Sequence, residues 1–407
     1  MPPISKLLPE WMLKAQGTVA TRPDAVVPDG MPVIRIGYLP LTDCAPLVVA
    51  HELGLDHQHG IHLELIRESS WSVLRDRLVS GELDAAHALY GMVYGIHLGV
   101  GSVQREMAIL MGLNSNGQAI TLSSRLASQG VRTGANLADR IRTGSRRLVF
   151  AQTFPTGTHA MWLYYWLASL GIHPLEDVDM LTIPPQRMVT ALQQQQLDGF
   201  CAGEPWNALA ADQAVGFTVV TSQQIWPDHP EKVLATCADW ADVNPALSRT
   251  LVTVMLEAAR YADVLQNREE IANWLAQPAY LNVASEIVRG RLLGQYSDGL
   301  GKQWDDPHGL AFFDQGRVNF PWVSDGIWFM TQLKRWGLLR SDPDYGAVAN
   351  RLHRIDTYRQ ACQDCGVPVP DQIYRPVQLL DGLWWDGLDP AAYEASFAIH
   401  SRHGVTL

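Results

Sequence analysis

The first half of the chain alternates short apolar runs with amphipathic segments. Residues 33–38 are apolar and partly β-branched and stop before Pro40, which predicts a strand. Residues 71–80 carry Leu74 and Leu78 on one face and end at Gly81, which predicts a helix. The same criteria predict further strands at 62–67, 84–89, 107–113 and 118–123, and a helix at 46–53.

The alternation begins again after residue 140. It predicts strands at 147–151, 178–183, 199–202 and 217–221, and helices at 158–170, 185–196 and 205–213. Two α/β halves in series indicate two lobes with a cleft between them. Polar turns at the strand ends would bring small polar groups to one sheet edge, where a small ligand can sit.

From Pro245 onward the pattern becomes helical, with an apolar stripe through Leu251, Val254 and Met255. Helices predicted at 245–267, 269–275, 284–293 and 325–336 are expected to pack on the first lobe. The domains predicted are an N-terminal extension (1–30), lobe 1 (31–120), lobe 2 (121–220), a return to lobe 1 with the helical region (221–340), and a Pro- and Asp-rich C-terminal appendage of low local order (341–407).

Composition narrows the possible partners. The 407 residues contain 31 Lys and Arg against 42 Asp and Glu, a net charge of −11. Without clustered basic residues, direct nucleic-acid binding is not expected, although helix N-termini can still hold a small anion. No run approaches the roughly 18 apolar residues of a membrane span, and the first thirty residues lack the apolar centre of a signal peptide, so a cytoplasmic protein is expected.

Cysteine and histidine spacing does not predict a metal or cofactor. Five scattered cysteines suit a reducing compartment, and Cys362-Gln-Asp-Cys365 lacks the second pair that would complete a zinc site. A local histidine cluster matches no standard metal site either, and comprises His51, His57, His59 and His62. We predict no metal and no cofactor.

Two strand ends in the first lobe carry candidate ligand-binding groups. Trp71 opens a helix after Ser69 and Ser70, where it could wall a pocket and offer its N–H to an anion, or simply pack under the helix. Asn116-Gly117 is a strong turn dipeptide whose amide groups could face the cleft, or serve only the turn.

The second lobe offers His159, Glu204 and Trp206 at two strand-to-helix junctions. His159 could donate to an anion or be an ordinary histidine in a capped helix. Glu204 would repel an anion and is interpreted as a brace that accepts hydrogen bonds within its loop. No nucleophile elbow, phosphate-binding loop or zinc-protease helix is present, which favours binding over catalysis.

Taken together, residues 33 to 336 resemble the nitrate and bicarbonate solute-binding proteins of ABC importers and their cytoplasmic relatives that sense nitrate or nitrite. The resemblance rests on segments spread over most of the chain: Ile36-Gly-Tyr-Leu-Pro-Leu41, Ala45-Pro-Leu47, Ser70-Trp71, Leu83-Asp-Ala-Ala-His-Ala88, Asn114-Ser-Asn-Gly117, Tyr165-Trp-Leu-Ala168, Phe200-Cys-Ala-Gly-Glu-Pro-Trp206, Ile225-Trp226, His229-Pro-Glu231 and Trp328-Phe329. It implies an α/β, two-lobed periplasmic-binding-protein-like fold with a ligand cleft between the lobes and a helical C-terminal region.

Within that family, two positions resemble the cytoplasmic sensor branch (the NasS type). Importer proteins have a His-Gly pair where this chain has Asn116-Gly117, and a lysine where it has Pro227. The resemblance then implies a protein that holds an ANTAR-class RNA-binding antiterminator (NasT type) and releases it when nitrate or nitrite binds. His87 is the substitute for a family glutamine. The ligand-binding set expected on all these grounds is Trp71, His87, Asn116, Gly117, His159, Glu204 and Trp206.

Two other functions stay open. The first is the solute-binding component of an ABC importer for nitrate, bicarbonate or a sulfonate. The second is a pyrimidine-precursor synthase built on a similar scaffold, for which the histidines between 51 and 62 are the only hint of a catalytic cluster. A protein that is not an enzyme is the expectation.

Overall fold

Two β-sheets form the framework of the computed structural model, which describes residues 18–20, 27 and 30–401. The main strands are β1 (Thr18–Ala20), β2 (Val33–Tyr38), β3 (His62–Arg67), β4 (Ala85–Leu89), β5 (Met107–Gly112), β6 (Gln118–Ser123), β7 (Val149–Gln152), β8 (Asp179–Thr182), β9 (Gly199–Gly203), β10 (Gly216–Thr221) and β11 (Lys232–Cys237). Two small hairpins follow, β12 (Gln295–Ser297) with β13 (Gln303–Asp305) and β14 (Val377–Gln378) with β15 (Trp384–Trp385).

Helices cover the faces of both sheets. They are α1 (Ala45–Glu52), α2 (Leu55–Gln58), α3 (Trp71–Ser80), α4 (Tyr90–Leu98), α5 (Ser124–Ser128), α6 (Gly134–Thr143), α7 (Thr158–Ser169), α8 (Pro185–Gln193), α9 (Trp206–Asp212), α10 (Ala238–Val243), α11 (Pro245–Asp263), α12 (Arg268–Ala276), α13 (Ser285–Leu292), α14 (Val323–Arg335), α15 (Tyr345–Leu352), α16 (Ile355–Cys365) and α17 (Pro390–Ala395).

Each sheet belongs to one lobe. The first has the order β1-β3-β2-β4-β11-β5, with β2 parallel to β3 and β4, and β11 antiparallel to both of its neighbours. The second has the order β10-β6-β9-β7-β8. The chain passes to the second lobe between β5 and β6 and returns between β10 and β11. This architecture confirms the predicted two-lobed α/β fold.

Local patterns located most elements well. The predicted strands at 33–38, 62–67 and 118–123 and the helix at 71–80 have the observed bounds. Helix α4, helix α6 and strand β11 were not predicted. Strand β11 begins with Lys232, whose charge indicates a solvent-facing residue, although its side chain is fully buried.

Strand pairing decides which lobe a residue belongs to. Strand β6 pairs with β9 and β10 along its whole length, so the boundary predicted between residues 120 and 121 falls inside a strand of the second lobe. Most of the predicted extension at 1–30, and residues 402–407, lie outside the described residues. Within that extension, Thr18–Ala20 pairs with β3 as the edge strand of the first sheet.

The helical region packs on the first lobe as predicted. Leu251, Val252 and Met255 of α11 share one apolar core with Leu47 and Val48 of α1. The low local order expected from residue 341 onward is wrong for the described part, because Tyr358 and Trp385 are buried and α15 and α16 form there. Isolated aromatic residues in a Pro-rich stretch give no periodic signal, yet each buries a large apolar surface.

Among the described residues, no helix combines the length and the apolar character that a membrane crossing requires. All five cysteines are free thiols, and four of them are buried.

Candidate functional site

A set of buried polar side chains lies where the two lobes meet. We call it the cleft cluster and define it as Asp43, Trp71, His87, Gln118, His159, Glu231 and Lys232; each of these side chains belongs to a residue no more than 2% exposed. Trp71 is placed by the start of α3, where the Ser70 hydroxyl caps the helix by accepting from the Val73 N–H at 3.2 Å. Lys232 is placed by β11, opposite Leu89 at the end of β4.

Lys232 is the cation of this cluster. Its Nζ donates to Asp43 Oδ2 at 2.7 Å and to Glu231 Oε1 at 2.9 Å, and lies 5.8 Å from the centre of the Trp71 ring. Burial opposes its charge, but the two carboxyl groups outweigh burial and raise the pKa of Lys232. Burial would likewise raise the pKa of Asp43, yet Lys232 and His87 hold it well below its usual range. The Lys232–Asp43 pair is therefore ionised at neutral pH.

The second lobe reaches the same ion pair through neutral groups. Gln118 donates from Nε2 to Asp43 Oδ2 at 3.0 Å and accepts at Oε1 from His159 Nε2 at 2.7 Å. His159 Nδ1 accepts from the Thr153 hydroxyl at 2.5 Å. Burial lowers the pKa of His159 well below its usual value, so the ring is neutral and its proton belongs on Nε2. Gln118 and His159 thus form a hydrogen-bonded link between the lobes.

Glu231 is the second carboxyl group beside Lys232. Besides the lysine, it accepts from Trp162 Nε1 at 2.8 Å and from the Thr158 hydroxyl. Burial nevertheless raises the pKa of Glu231, because these donors offset only part of the cost of burying its charge. Burial thus favours the protonated form of Glu231 more than it would for an exposed glutamate.

Several buried polar atoms near the ion pair make no hydrogen bond within the described part of the chain. They are the Trp71 Nε1–H, the Thr42 hydroxyl and His87 Nδ1. Leaving such groups unpaired costs about 1–3 kcal/mol each. His87 stacks on Trp71 with ring centroids 6.4 Å apart, and its Nε2 lies 3.1 Å from Asp43 Oδ1. Burial lowers the pKa of His87, so it is a neutral donor or acceptor. The arrangement suits a small polar ligand bound beside Lys232.

Three of the expected ligand-binding residues meet in this cluster, namely Trp71, His87 and His159, but Asn116 does not. Asn116 has a φ of 65° and donates from Nδ2 to Asp228 Oδ1 at 3.3 Å and to the Gly309 carbonyl at 3.2 Å. Asp228 and Gly309 line a separate cavity of about 840 Å³, to which Pro227 also belongs. The amide of Asn116 is thus directed away from Lys232.

Gly117 serves the turn between the lobes. Its φ is 85°, and a Cβ atom there would lie 2.5 Å from Leu310 Cδ1, so only glycine fits. The Asn116-Gly117 dipeptide is therefore explained by the crossover between β5 and β6.

Glu204 and Trp206 contact the first lobe from the second without joining the cleft cluster. Glu204 accepts from the Ala208 N–H at 3.0 Å, and its other oxygen lies 3.3 Å from Arg291 Nε, the bracing role expected from the sequence. Trp206 Nε1 donates to the Pro40 carbonyl at 3.2 Å, and the Thr42 N–H donates to the Glu204 carbonyl at 2.7 Å. These bonds hold the lobes together beside the cluster.

Sequence reasoning missed Asp43, Gln118, Glu231 and Lys232. The family resemblance placed the importer-type lysine at Pro227, where this chain has no lysine, five positions before Lys232. The sequence did contain a signal for a buried strand, because in Lys232–Cys237 one charged residue is followed by five residues that suit such a strand.

Comparison with known proteins agrees with the two-lobed fold. Residues 29–276 match the NMT1-like family. The chain belongs to that family. It is 34% identical over 379 residues to the nitrate/nitrite binding protein NrtA of Synechocystis sp. (strain PCC 6803), covering 90% of this chain and 85% of that protein. The crystal structure of the periplasmic nitrate-binding protein NrtA from Synechocystis PCC 6803 superposes with a TM-score of 0.87 at 32% identity, covering 91% of this chain and 99% of that one.

A second kind of relative is a longer protein, of which this chain matches only a part. The chain is 35% identical over 398 residues to the nitrate import ATP-binding protein NrtC of the same organism. That match covers 97% of this chain but only 59% of NrtC. These relatives are named for nitrate binding and nitrate import, and none of the three carries the name of a pyrimidine-precursor synthase.

Proposed function

We propose that the cleft cluster binds nitrate or nitrite. The observation that carries this proposal is Lys232, a fully buried cation whose Nζ lies 5.8 Å from the centre of the Trp71 ring, while the Trp71 N–H has no hydrogen-bond partner among the described residues. A planar anion fits the flat indole face and accepts hydrogen bonds at each oxygen. Similarity to NrtA over most of both chains supports this ligand class.

Charge balance adds a condition to the proposal. Lys232 already has Asp43 and Glu231 as partners, so an anion would join a cluster with one positive and two carboxyl groups. Binding is favourable when Glu231 carries a proton, and the raised pKa of Glu231 makes that protonation accessible. We therefore expect nitrate binding to be accompanied by proton uptake at Glu231.

Ligand binding would stabilise the closed arrangement of the lobes. Gln118 and His159 come from the second lobe, whereas Asp43, Trp71 and Lys232 come from the first. Shifting an open–closed equilibrium from 1:99 to 99:1 requires about 5.5 kcal/mol of differential binding. Hydrogen bonds to a charged group contribute roughly 1.5–3 kcal/mol each, so two to four of them suffice.

The role best supported is that of the solute-binding component of an ABC importer. NrtA proteins are named as nitrate/nitrite binding proteins, and the match extends over 85% of the length of the Synechocystis protein. In this role the closed, loaded form would dock on a permease and deliver the anion.

A second candidate is a cytoplasmic nitrate or nitrite sensor that sequesters an ANTAR-type antiterminator and releases it on ligand binding. The observation that favours it lies in the sequence, because Asn116-Gly117 and Pro227 stand where importer proteins of this family have a His-Gly pair and a lysine. In this role, nitrate or nitrite would control the partner by shifting the lobes toward the closed form, to which the partner binds less tightly.

Titration calorimetry with nitrate, nitrite, bicarbonate and taurine tests the ligand. Saturable heat with nitrate or nitrite, absent with taurine, is expected for the wild type. The variant Lys232→Met should abolish it, while Lys302→Met, an exposed lysine outside the cluster, should not. A response to bicarbonate or taurine alone would contradict the proposal.

The two roles are separated by their partners. A sensor should co-elute with an ANTAR-domain protein in the absence of nitrate and dissociate when nitrate is added. An importer component should instead stimulate the ATPase activity of a reconstituted nitrate permease complex. Fractionation of cells between cytoplasm and envelope checks where either role takes place.

A further inference from the structure

A second cluster of polar side chains lies at the far end of the first sheet. His62 opens β3 and pairs with Val33 at the start of β2, whereas the cleft lies beyond Arg67 at the other end of β3. Asp56 and His57 belong to α2, the short helix that precedes this strand. We call Asp56, His57 and His62 the outer cluster.

Three ligand atoms converge in the outer cluster. His57 Nε2 lies 3.0 Å from His62 Nδ1, and Asp56 Oδ2 lies 3.9 Å and 3.8 Å from these two nitrogens. Zinc bonds of about 2.0–2.1 Å in a tetrahedron place neighbouring ligand atoms roughly 3.3 Å apart. Adjustments of about half an ångström would therefore bring all three atoms to one metal ion.

The fold holds these groups in position before any ion binds. Asp56 is completely buried, and its Oδ2 accepts from the Leu63 N–H at 3.0 Å. Gly54 and Gly60, with φ of 65° and 72°, turn the chain on either side of α2 so that His57 faces His62. A ligating carboxylate fixed by a backbone hydrogen bond is the kind of outer-shell support that metal sites use.

Solvent can reach the two imidazoles. The side chain of His57 is 22% exposed and that of His62 is 16% exposed. A metal ion can thus enter, and water can complete a four-coordinate site. His59 is different, because its Nε2 contacts Glu257 Oε2 of α11 at 2.9 Å.

We propose that Asp56, His57 and His62 bind a divalent transition-metal ion of the zinc type, with water as the fourth ligand. Two imidazoles and one carboxylate suit zinc and its neighbours, whereas calcium and magnesium prefer oxygen ligands alone. The proton that joins His57 to His62 moves to an outward ring nitrogen, so both lone pairs face the ion. The ion would tie α2 to β3 on the face of lobe 1 remote from the cleft.

Cobalt(II) is the direct probe for this site. Full-length protein without an affinity tag, treated first with a chelator, should develop the intense visible absorption of tetrahedral cobalt at one equivalent, and zinc should remove it. The proposal would be overturned if these bands were absent, or if only the weak bands typical of six-coordinate cobalt appeared.

Single substitutions test which residues bind the metal ion. His62→Gln and His57→Gln should each weaken zinc binding at least about 100-fold, whereas His59→Gln should bind as the wild type does. Equal losses in all three variants, or none in His62→Gln, would contradict the assignment. Because both ligand variants change partly exposed residues, folding is checked by circular dichroism. Nitrate titration of His62→Gln should match the wild type, so this proposal and the nitrate proposal fail independently.

Discussion

The cleft cluster and the outer cluster are built from similar residue types but differ in their charge. Both bring histidines together with carboxyl groups. In the cleft, Lys232 contacts both Asp43 and Glu231 and neutralises part of their charge, which the proposed binding of an anion requires. In the outer cluster the three convergent residues are one carboxyl group and two histidines, with no lysine or arginine among them, and this set of donor atoms suits a cation. Under the two proposals, one buried lysine distinguishes a site for an anion from a site for a cation.

The two clusters also differ in how the chain assembles them. The outer cluster spans seven consecutive positions, from Asp56 to His62, and forms within one helix-to-strand turn. The cleft cluster combines Asp43 with Lys232 across 189 positions and requires both lobes. Loss of the tertiary fold would therefore disperse the cleft cluster much more than the outer one.

The largest expected effect comes from removing the charge of Lys232. The variant Lys232→Met keeps the length of the side chain but leaves Asp43 and Glu231 buried without a cation, so the free energy of unfolding should fall by about 3–5 kcal/mol. Urea denaturation without nitrate measures this. The variant Lys302→Met should stay within about 0.5 kcal/mol of the wild type. Equal stability of both variants would show that the cleft is not organised by an ion pair.

The next effect isolates the N–H of Trp71. Trp71→Phe keeps an aromatic ring but removes the donor, and a lost hydrogen bond to a charged ligand of about 1.5–3 kcal/mol should raise the nitrate Kd roughly 10- to 150-fold. Trp384→Phe, at a residue 65% exposed, is the matched control and should have no effect. Unchanged nitrate affinity in Trp71→Phe would remove this donor from the site.

A smaller effect concerns pH. Because anion binding favours protonated Glu231 and burial raises the pKa of that group, nitrate affinity should decrease as pH rises through this pKa. Glu231→Gln is neutral at every pH, so its affinity should be independent of pH and, above that pKa, about 10-fold higher than that of the wild type. Calorimetry in a pH series checks both. Lower affinity in Glu231→Gln at high pH would mean that the carboxylate assists binding.

The smallest effect is expected at Asn116. Asn116→Gly removes the amide while keeping the positive φ of 65° accessible, so nitrate affinity should remain within about twofold of the wild type. Asn116→Ala should instead lose about 1–2 kcal/mol of stability through the same backbone conformation. A large affinity loss in Asn116→Gly would restore this residue to the binding site.

Local chemistry made much of the fold predictable. Strands at 33–38, 62–67 and 118–123 follow from apolar and β-branched runs ended by proline, glycine or polar turns. Trp71 and His159 were identified because each lies in the first turn of a helix that follows a strand, which places it near the carboxyl ends of strands. Glu204 was correctly interpreted as a brace because a carboxylate is a poor ligand for an anion.

The rest of the site could not be read from local patterns. Lys232 and Gln118 begin strands, and a polar residue at a strand end is normally exposed. The partners of the Asn116 amide could not be predicted either, because a turn dipeptide fixes the backbone but not the direction in which its amide points. The sequence by itself determined the order of strands and helices, since their periods depend on neighbouring residues. Only the tertiary structure decided that Lys232 is buried between Asp43 and Glu231, because the pairing of β11 with β4 and β5 is a contact between distant parts of the chain.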